Sequence, residues 1–216
     1  MKVILFGATG LVGQGVLREC LLAPDVTAVL TVGRTATGQQ HAKLREIVHA
    51  DLADYAAIEG ELAGYDACFF CLGVSAAGMS EADYTRITYD VTLAAARTLA
   101  RLSPGMTFTY VSGEGTDEHK RAMWARVKGR TENALIALPL KAVMFRPGLI
   151  RPLHGIKSKT RLYRVAYWVM WPFYPLLRAF GMLTTTERVG QAMLRVARDG
   201  SPAKFLATRE INALTA

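Results

Sequence analysis

Three groups of residues in this 216-residue chain have the types and spacing to do chemistry. The first is "GATGLVGQG", which sets Gly7, Gly10 and Gly13 in a G-x-x-G-x-x-G spacing around Thr9, Leu11 and Val12. A loop of this kind, directly after a strand and opening a helix, can cradle a pyrophosphate. The first glycine permits the tight turn, the second lets backbone approach the phosphate, and the third lets helix and strand pack closely. The helix start adds unpaired N–H groups and the positive end of a dipole.

The second group follows the next strand. An NAD site usually offers an Asp or Glu about 20 residues past the loop, to hold the ribose hydroxyls. From Val26 to Arg45 the chain has no acid. Arg34 ends that strand, with Thr35 beside it, and a guanidinium there suits a 2′-phosphate through charge-assisted hydrogen bonds. NADP(H) is therefore favoured over NAD(H). Asp51, after the third strand, is placed either to accept from an adenine amino group or to cap a helix. The third group is "MWARVKGR", where Lys128 stands four residues after Trp124 and so shares its helical face.

The elements that must position these groups alternate as in βαβ units, which gives a parallel sheet. "KVILF", "VTAVLTV", "REIVHA", "DACFFCL", "TFTYVS" and "KAVMFRPG" read as six strands, the last stopped by Pro147. Helices are expected at "LVGQGVLRECLL", at "ADYAAIEGEL", from about Ser80 to Leu102 and from Glu118 to Leu138. Beyond them come an aromatic helical stretch from about Ser158, a helix over Thr186 to Ala197 and a short strand at "AKFLA". The expected fold is α/β, a Rossmann-type doubly wound parallel sheet. It forms one unit over residues 1–216, to which 151–200 contribute a small helical cap.

At 51% hydrophobic and 20% charged the chain is globular in composition. The apolar run at its start is too short for a secretory signal, and three cysteines do not make a disulfide framework. Both observations point to a reducing, cytoplasmic setting. The net charge of +8 has a single source. Between Asn133 and Thr186 there is no acid, but there are eight bases: Lys141, Arg146, Arg151, Lys157, Lys159, Arg161, Arg164 and Arg178. That segment is suited to something anionic: a cofactor phosphate, an acidic substrate, lipid head groups or an acidic partner.

The series "GATGLVG", Arg34, "CLGVS", "TYVSGEG", the helix with Lys128, and "FRPGLI" resembles the short-chain dehydrogenase/reductase superfamily. The resemblance is to its short atypical, epimerase/dehydratase-like branch, near the Tat-interactive oxidoreductase group, and covers residues 1–152. It implies that Gly7, Gly10 and Gly13 hold a pyrophosphate, Arg34 a 2′-phosphate, and Leu72 and Gly73 the adenosine ribose. It further implies that Ser112 is the active-site serine, Lys128 the lysine on the nicotinamide ribose, and Pro147–Gly148 the turn beside the carboxamide. Trp124 departs from the pattern, standing where the catalytic Tyr of Y-x-x-x-K belongs. A phenol can exchange a proton once a nearby cation lowers its pKa; an indole N–H only donates. His119 and Glu114, after the fifth strand, are the titratable residues near enough in sequence to replace it. Two readings follow: a reductase or epimerase with another proton donor and an unknown small-molecule substrate, or a non-catalytic NADP(H)-binding protein.

Cys68 and Cys71 form "CFFC". The pair lies in an apolar strand rather than at a helix start, which favours buried small residues over a redox pair. No Cys or His cluster has metal-ligand spacing, and the bases come with no nucleic-acid reader motif. The basic, aromatic run over residues 157–181 contains Trp168, Trp171, Phe173 and Phe180. It leaves three uses open: a lid over the substrate, a contact with an anionic membrane surface, or a homo-oligomer or partner interface.

Overall fold

A computed structural model describes residues 1–156, 182–201 and 203–215. Seven parallel strands form the main sheet, in the order β3-β2-β1-β4-β5-β6-β9. They are β1 (Lys2–Phe6), β2 (Ala28–Gly33), β3 (Leu44–Val48), β4 (Ala67–Phe70), β5 (Thr107–Val111), β6 (Lys141–Arg146) and β9 (Phe205–Ala207). The strand order reverses between β1 and β4, the topological switch point at which doubly wound sheets bind ligands. The central strands are continuous apolar runs because helices cover both of their faces.

Alternation along each strand divides the core in two. Val3, Leu5, Phe69 and Phe145 point to one side, where α1 (Leu11–Leu22) and α5 (Thr186–Asp199) supply Val16, Leu17, Val189, Met193 and Val196. Ile4, Phe6, Phe70, Phe108 and Tyr110 point to the other, beneath α3 (Val91–Leu102) and α4 (Met123–Ile136), which supply Ala96, Leu99 and Leu135. The helix expected from Thr186 thus covers the sheet beside α1 and is not part of a cap. The aromatic stretch of residues 157–181 lies outside the described residues. Two short strands flank it, β7 (Leu149–Arg151) and β8 (Leu183–Thr185), and pair in parallel with Leu149 opposite Leu183.

Other expectations shift in detail. "ADYAAIEGEL" forms a 3-10 helix over Ala56–Leu62. The long helix after β4 begins at the Ser80 cap, whose hydroxyl accepts from Asp83 N. It runs through α2 (Glu81–Thr85), a π turn at Arg86–Asp90, and α3. α4 begins at Met123 and not at Glu118, because residues 113–120 form a loop packed beneath it. The reason is Gly129, at which a Cβ would lie 2.3 Å from Glu118 N. A last short helix, α6 (Thr208–Ala213), follows β9.

The α1–α5 contact depends on Gly15, where an added Cβ would meet Thr186 Cβ at 2.6 Å and its carbonyl oxygen at 2.7 Å. Gly15→Ala should cost about 1–3 kcal/mol through overpacking, read as a fall of several degrees in thermal midpoint. Gly60→Ala, where an added Cβ meets nothing within 4 Å, should be neutral or slightly stabilising in the same measurement.

Candidate functional site

The C-terminal end of β1 delivers the glycine loop. Gly7 has φ 79°, and a Cβ on it would stand 2.5 Å from Leu72 N, so the strand's end lies directly against the end of β4. Gly10 N–H donates to Gly7 O at 2.9 Å to close the turn. Gly13 lets α1 dock, because a Cβ there would fall 2.0 Å from Gly7 O. Gly10 is also the N-cap of α1 and, having no side chain, leaves the first-turn N–H groups uncapped. They form an anion site of the kind helix starts provide.

Above this loop is a cavity of about 1040 Å³. Gly7, Thr9, Gly10, Leu11, Arg34, Asp51, Leu72 and Gly73 all line it, so most of the residues named from sequence for the adenosine side meet there. Val12 is not among the lining residues; it packs against the core on the α1 side. Gly13 acts one layer down, through packing. Asp51 commits Oδ1 to its own turn, accepting from Ala53 N at 2.9 Å. Arg34 is exposed, with no ion-pair partner among the described residues. The nearby acid on β3, Glu46, is occupied: its Oε2 accepts from both Thr31 Oγ1 and Thr37 N at 2.9 Å. Sequence reasoning did not single out Arg86 and Ile87, which the π turn places on the cavity wall.

The residues named for catalysis gather elsewhere, at the ends of β5 and β6. Ser112 is only 3% exposed, and its hydroxyl donates to Glu132 Oε1 at 2.5 Å, with Phe145 O at 3.2 Å on its other side. Glu132, 1% exposed, receives Arg146 in two-pronged fashion, Nε to Oε1 at 3.0 Å and Nη2 to Oε2 at 2.5 Å. Ser112 therefore faces a buried carboxylate at the end of β5. Lys128 Nζ donates to the backbone oxygen of Ser112. Burial pushes its ammonium from 10.5 down to about 8, with Glu132 opposing the shift. Trp124 is half-buried and lies over the loop after β5, its Cη2 3.5 Å from the Cβ position of Gly115. His119 points away: its side chain is 85% exposed and 3.5 Å from Glu118. Pro147 and Gly148 turn at the end of β6, where Pro147 O accepts from Glu114 N at 3.0 Å and Gly148 N donates to Thr208 Oγ1 at 2.8 Å.

Cys68 is buried within β4 and Cys71 follows it, lining the cavity; burial pushes both thiols up, away from nucleophilic reactivity.

The chain matches the model of the NAD dependent epimerase/dehydratase family over residues 3–116. It is 32% identical over 150 residues to "Protein FMP52-2, mitochondrial" of Scheffersomyces stipitis, covering 68% of this chain and 65% of that one. It is also 32% identical over 157 residues to "Protein fmp52, mitochondrial" of Emericella nidulans, covering 69% and 66%. The match thus spans slightly under two thirds of those relatives' own length. Among solved structures it is similar to the Bordetella bronchiseptica enzyme WbmF in complex with NAD+ and UDP, with a TM-score of 0.70, 16% identity and coverage of 96% and 71%. It is likewise similar to MoeE5 in complex with UDP-glucose and NAD, with a TM-score of 0.72, 17% identity and coverage of 96% and 75%. At such identities the likeness is one of fold. The relatives' names overturn the expectation of a cytoplasmic setting, since both are called mitochondrial. Free cysteines fit any reducing compartment and do not single out the cytoplasm.

A lysine whose folded pKa lies below its unfolded one binds fewer protons when folded, so stability rises with pH through that window. For Lys128 the window runs from about 8 to 10.5. Lys128→Met should remove its share of that rise, measured as the difference between parent and variant in chemical denaturation across the window. The comparison isolates Lys128 from the buried thiols, whose raised pKa values act in the opposite direction.

Proposed function

The chain belongs to the NAD dependent epimerase/dehydratase family, and on that premise we propose that it binds a nicotinamide dinucleotide at the glycine loop, preferring NADP(H) to NAD(H). Its activity would be that of an oxidoreductase or epimerase-like protein on a carbonyl or anionic substrate. The observation that carries this reading is the cavity itself. Uncapped N–H groups of α1 stand at one point of its wall and Arg34, a guanidinium with no ion-pair partner among the described residues, at another. A dinucleotide with a 2′-phosphate offers an anion to each, and no free acid at the end of β2 competes for the ribose. The structural neighbours named in complex with NAD+ support the dinucleotide. The relatives' names support a mitochondrial setting for it.

When bound, the dinucleotide would supply hydride chemistry. The chain would anchor its phosphates and hold Lys128 at the end of β5. A second reading, binding without turnover, is favoured by one arrangement in particular. Ser112 is turned to Glu132, Lys128 is bonded to the Ser112 carbonyl, and Trp124 supplies no titratable proton. In that reading cofactor occupancy, not chemistry, is the output.

Calorimetric titration should show NADPH binding more tightly than NADH, and Arg34→Ala should lower NADPH affinity by about tenfold or more, toward the NADH value. Equal affinity for the two cofactors in the parent would overturn the NADP(H) preference. Trp124→Tyr separates the two readings. Reductase turnover that appears only in the variant marks the parent as a binder. Turnover already present in the parent, and not improved in the variant, means that another acid works there.

A further inference from the structure

Among the described residues, the walls of the glycine-loop cavity come from residues up to Val91. The cavity therefore belongs to the half of the sheet built on β1, β2 and β3, together with the end of β4. In a doubly wound sheet a dinucleotide lies across the crevice between two mononucleotide-binding halves. Its second nucleotide must then extend over the carboxyl ends of β5 and β6. Most acids at that end are already engaged. Glu132 holds Arg146 and Ser112, Glu118 lies beside His119, and Asp117 Oδ1 accepts from His119 N. Glu114 differs, because among the described residues its carboxylate has no ion-pair partner.

The backbone at Glu114 is nonetheless closely set, and its exposed side chain extends from it. The glycines on either side are left-handed, Gly113 with φ 119° and Gly115 with φ 81°, a conformation that turns the loop back on itself. Glu114 N–H is tied to Pro147 O at 3.0 Å. The side chain then folds over the end of β6, so that a Cβ on Gly148 would lie 2.3 Å from Glu114 Oε2. A methyl group at 148 would displace the carboxylate and would also stand 3.1 Å from Met182 O, while Thr208 accepts that glycine's N–H.

We propose that Glu114 faces the nicotinamide end of the dinucleotide and favours the oxidised, cationic ring over the neutral reduced one. The inference rests on the dinucleotide reading above. An oxidised nicotinamide carries a positive charge that its reduced form lacks, so a nearby carboxylate attracts one state and is nearly indifferent to the other. Of the cations described at this end, Arg146 is paired with Glu132 and Lys128 is held at the Ser112 carbonyl. Glu114 thus sets the poise of the bound pair. Each tenfold in relative affinity moves the potential of a two-electron couple by about 30 mV, in this case downward.

The test is to titrate the parent chain, Glu114→Gln and Gly148→Ala with NADP+ and separately with NADPH, and with NAD+ and NADH in parallel. Glu114→Gln should weaken the oxidised form by about three- to tenfold while leaving the reduced form within about twofold. Gly148→Ala puts a methyl group where the carboxylate lies and should reproduce that split with the acid still in the chain. Equal losses for both redox states would make Glu114 a structural residue and overturn the proposal, as would no change in either. If the parent binds neither state, the dinucleotide reading falls and takes the inference with it. Binding by the parent without a redox split in the variants removes the inference alone.

Discussion

The structure is organised around a near-contact of backbones. Where β1 meets α1 there is no room for a single methyl group, either between Gly7 and the end of β4 or between Gly13 and Gly7. That closeness fixes the direction in which α1 leaves the sheet, and with it the direction of the helix's uncapped N–H groups. It also fixes the face of α1 that meets α5, since Gly15 lies two residues beyond Gly13 and touches Thr186. The cavity, the anion site at the helix start and one of the two core layers all follow from a few positions that carry no side chain.

The other end of the crevice is organised by charge. Glu132 is buried and would be costly to leave unpaired there, so Arg146 from β6 and the Ser112 hydroxyl from the end of β5 are drawn to it. The consequence passes to neighbouring groups. Ser112 turns inward, its carbonyl is left to accept from Lys128, and the partially desolvated ammonium holds its proton less firmly. Trp124 suits these surroundings: a broad apolar ring packed over a glycine loop, where a phenol would need a base or a substrate oxygen. The two ends of the crevice therefore differ in kind, one offering open donors to an anion, the other mostly satisfied in advance.

Much of this was legible in the sequence, for identifiable reasons. Parallel strands buried on both faces leave unbroken apolar runs, and the glycine loop has a fixed spacing, so β1 to β6 and the adenosine-side residues could be placed directly. Tertiary partners were not legible. Glu132 lies 20 residues from Ser112 and 14 from Arg146, and nothing local marks it as their meeting point. Val12 sits within the loop motif yet faces the core, because the helix has already begun to turn there. The start of α4 was expected too early because Glu118 to Lys120 look helical in isolation. The signal that could have corrected it was Gly129, since a glycine inside a helix points to another backbone lying close. Likewise, grouping Thr186 onward with a cap overlooked an apolar stripe that matches the sheet.

The small β7–β8 ladder carries a consequence of another kind. It leaves residues 149–151 and 183–185 side by side, locked in register at Leu149 and Leu183. Because the two strands run parallel, the chain leaves the ladder at Arg151 and rejoins it at the opposite end, at Leu183. The ladder acts as a tie-bar: β7 leaves the turn at the end of β6 and β8 runs directly into α5, so the mouth of the crevice at β6 and the helix that covers the far side of the sheet cannot shift independently.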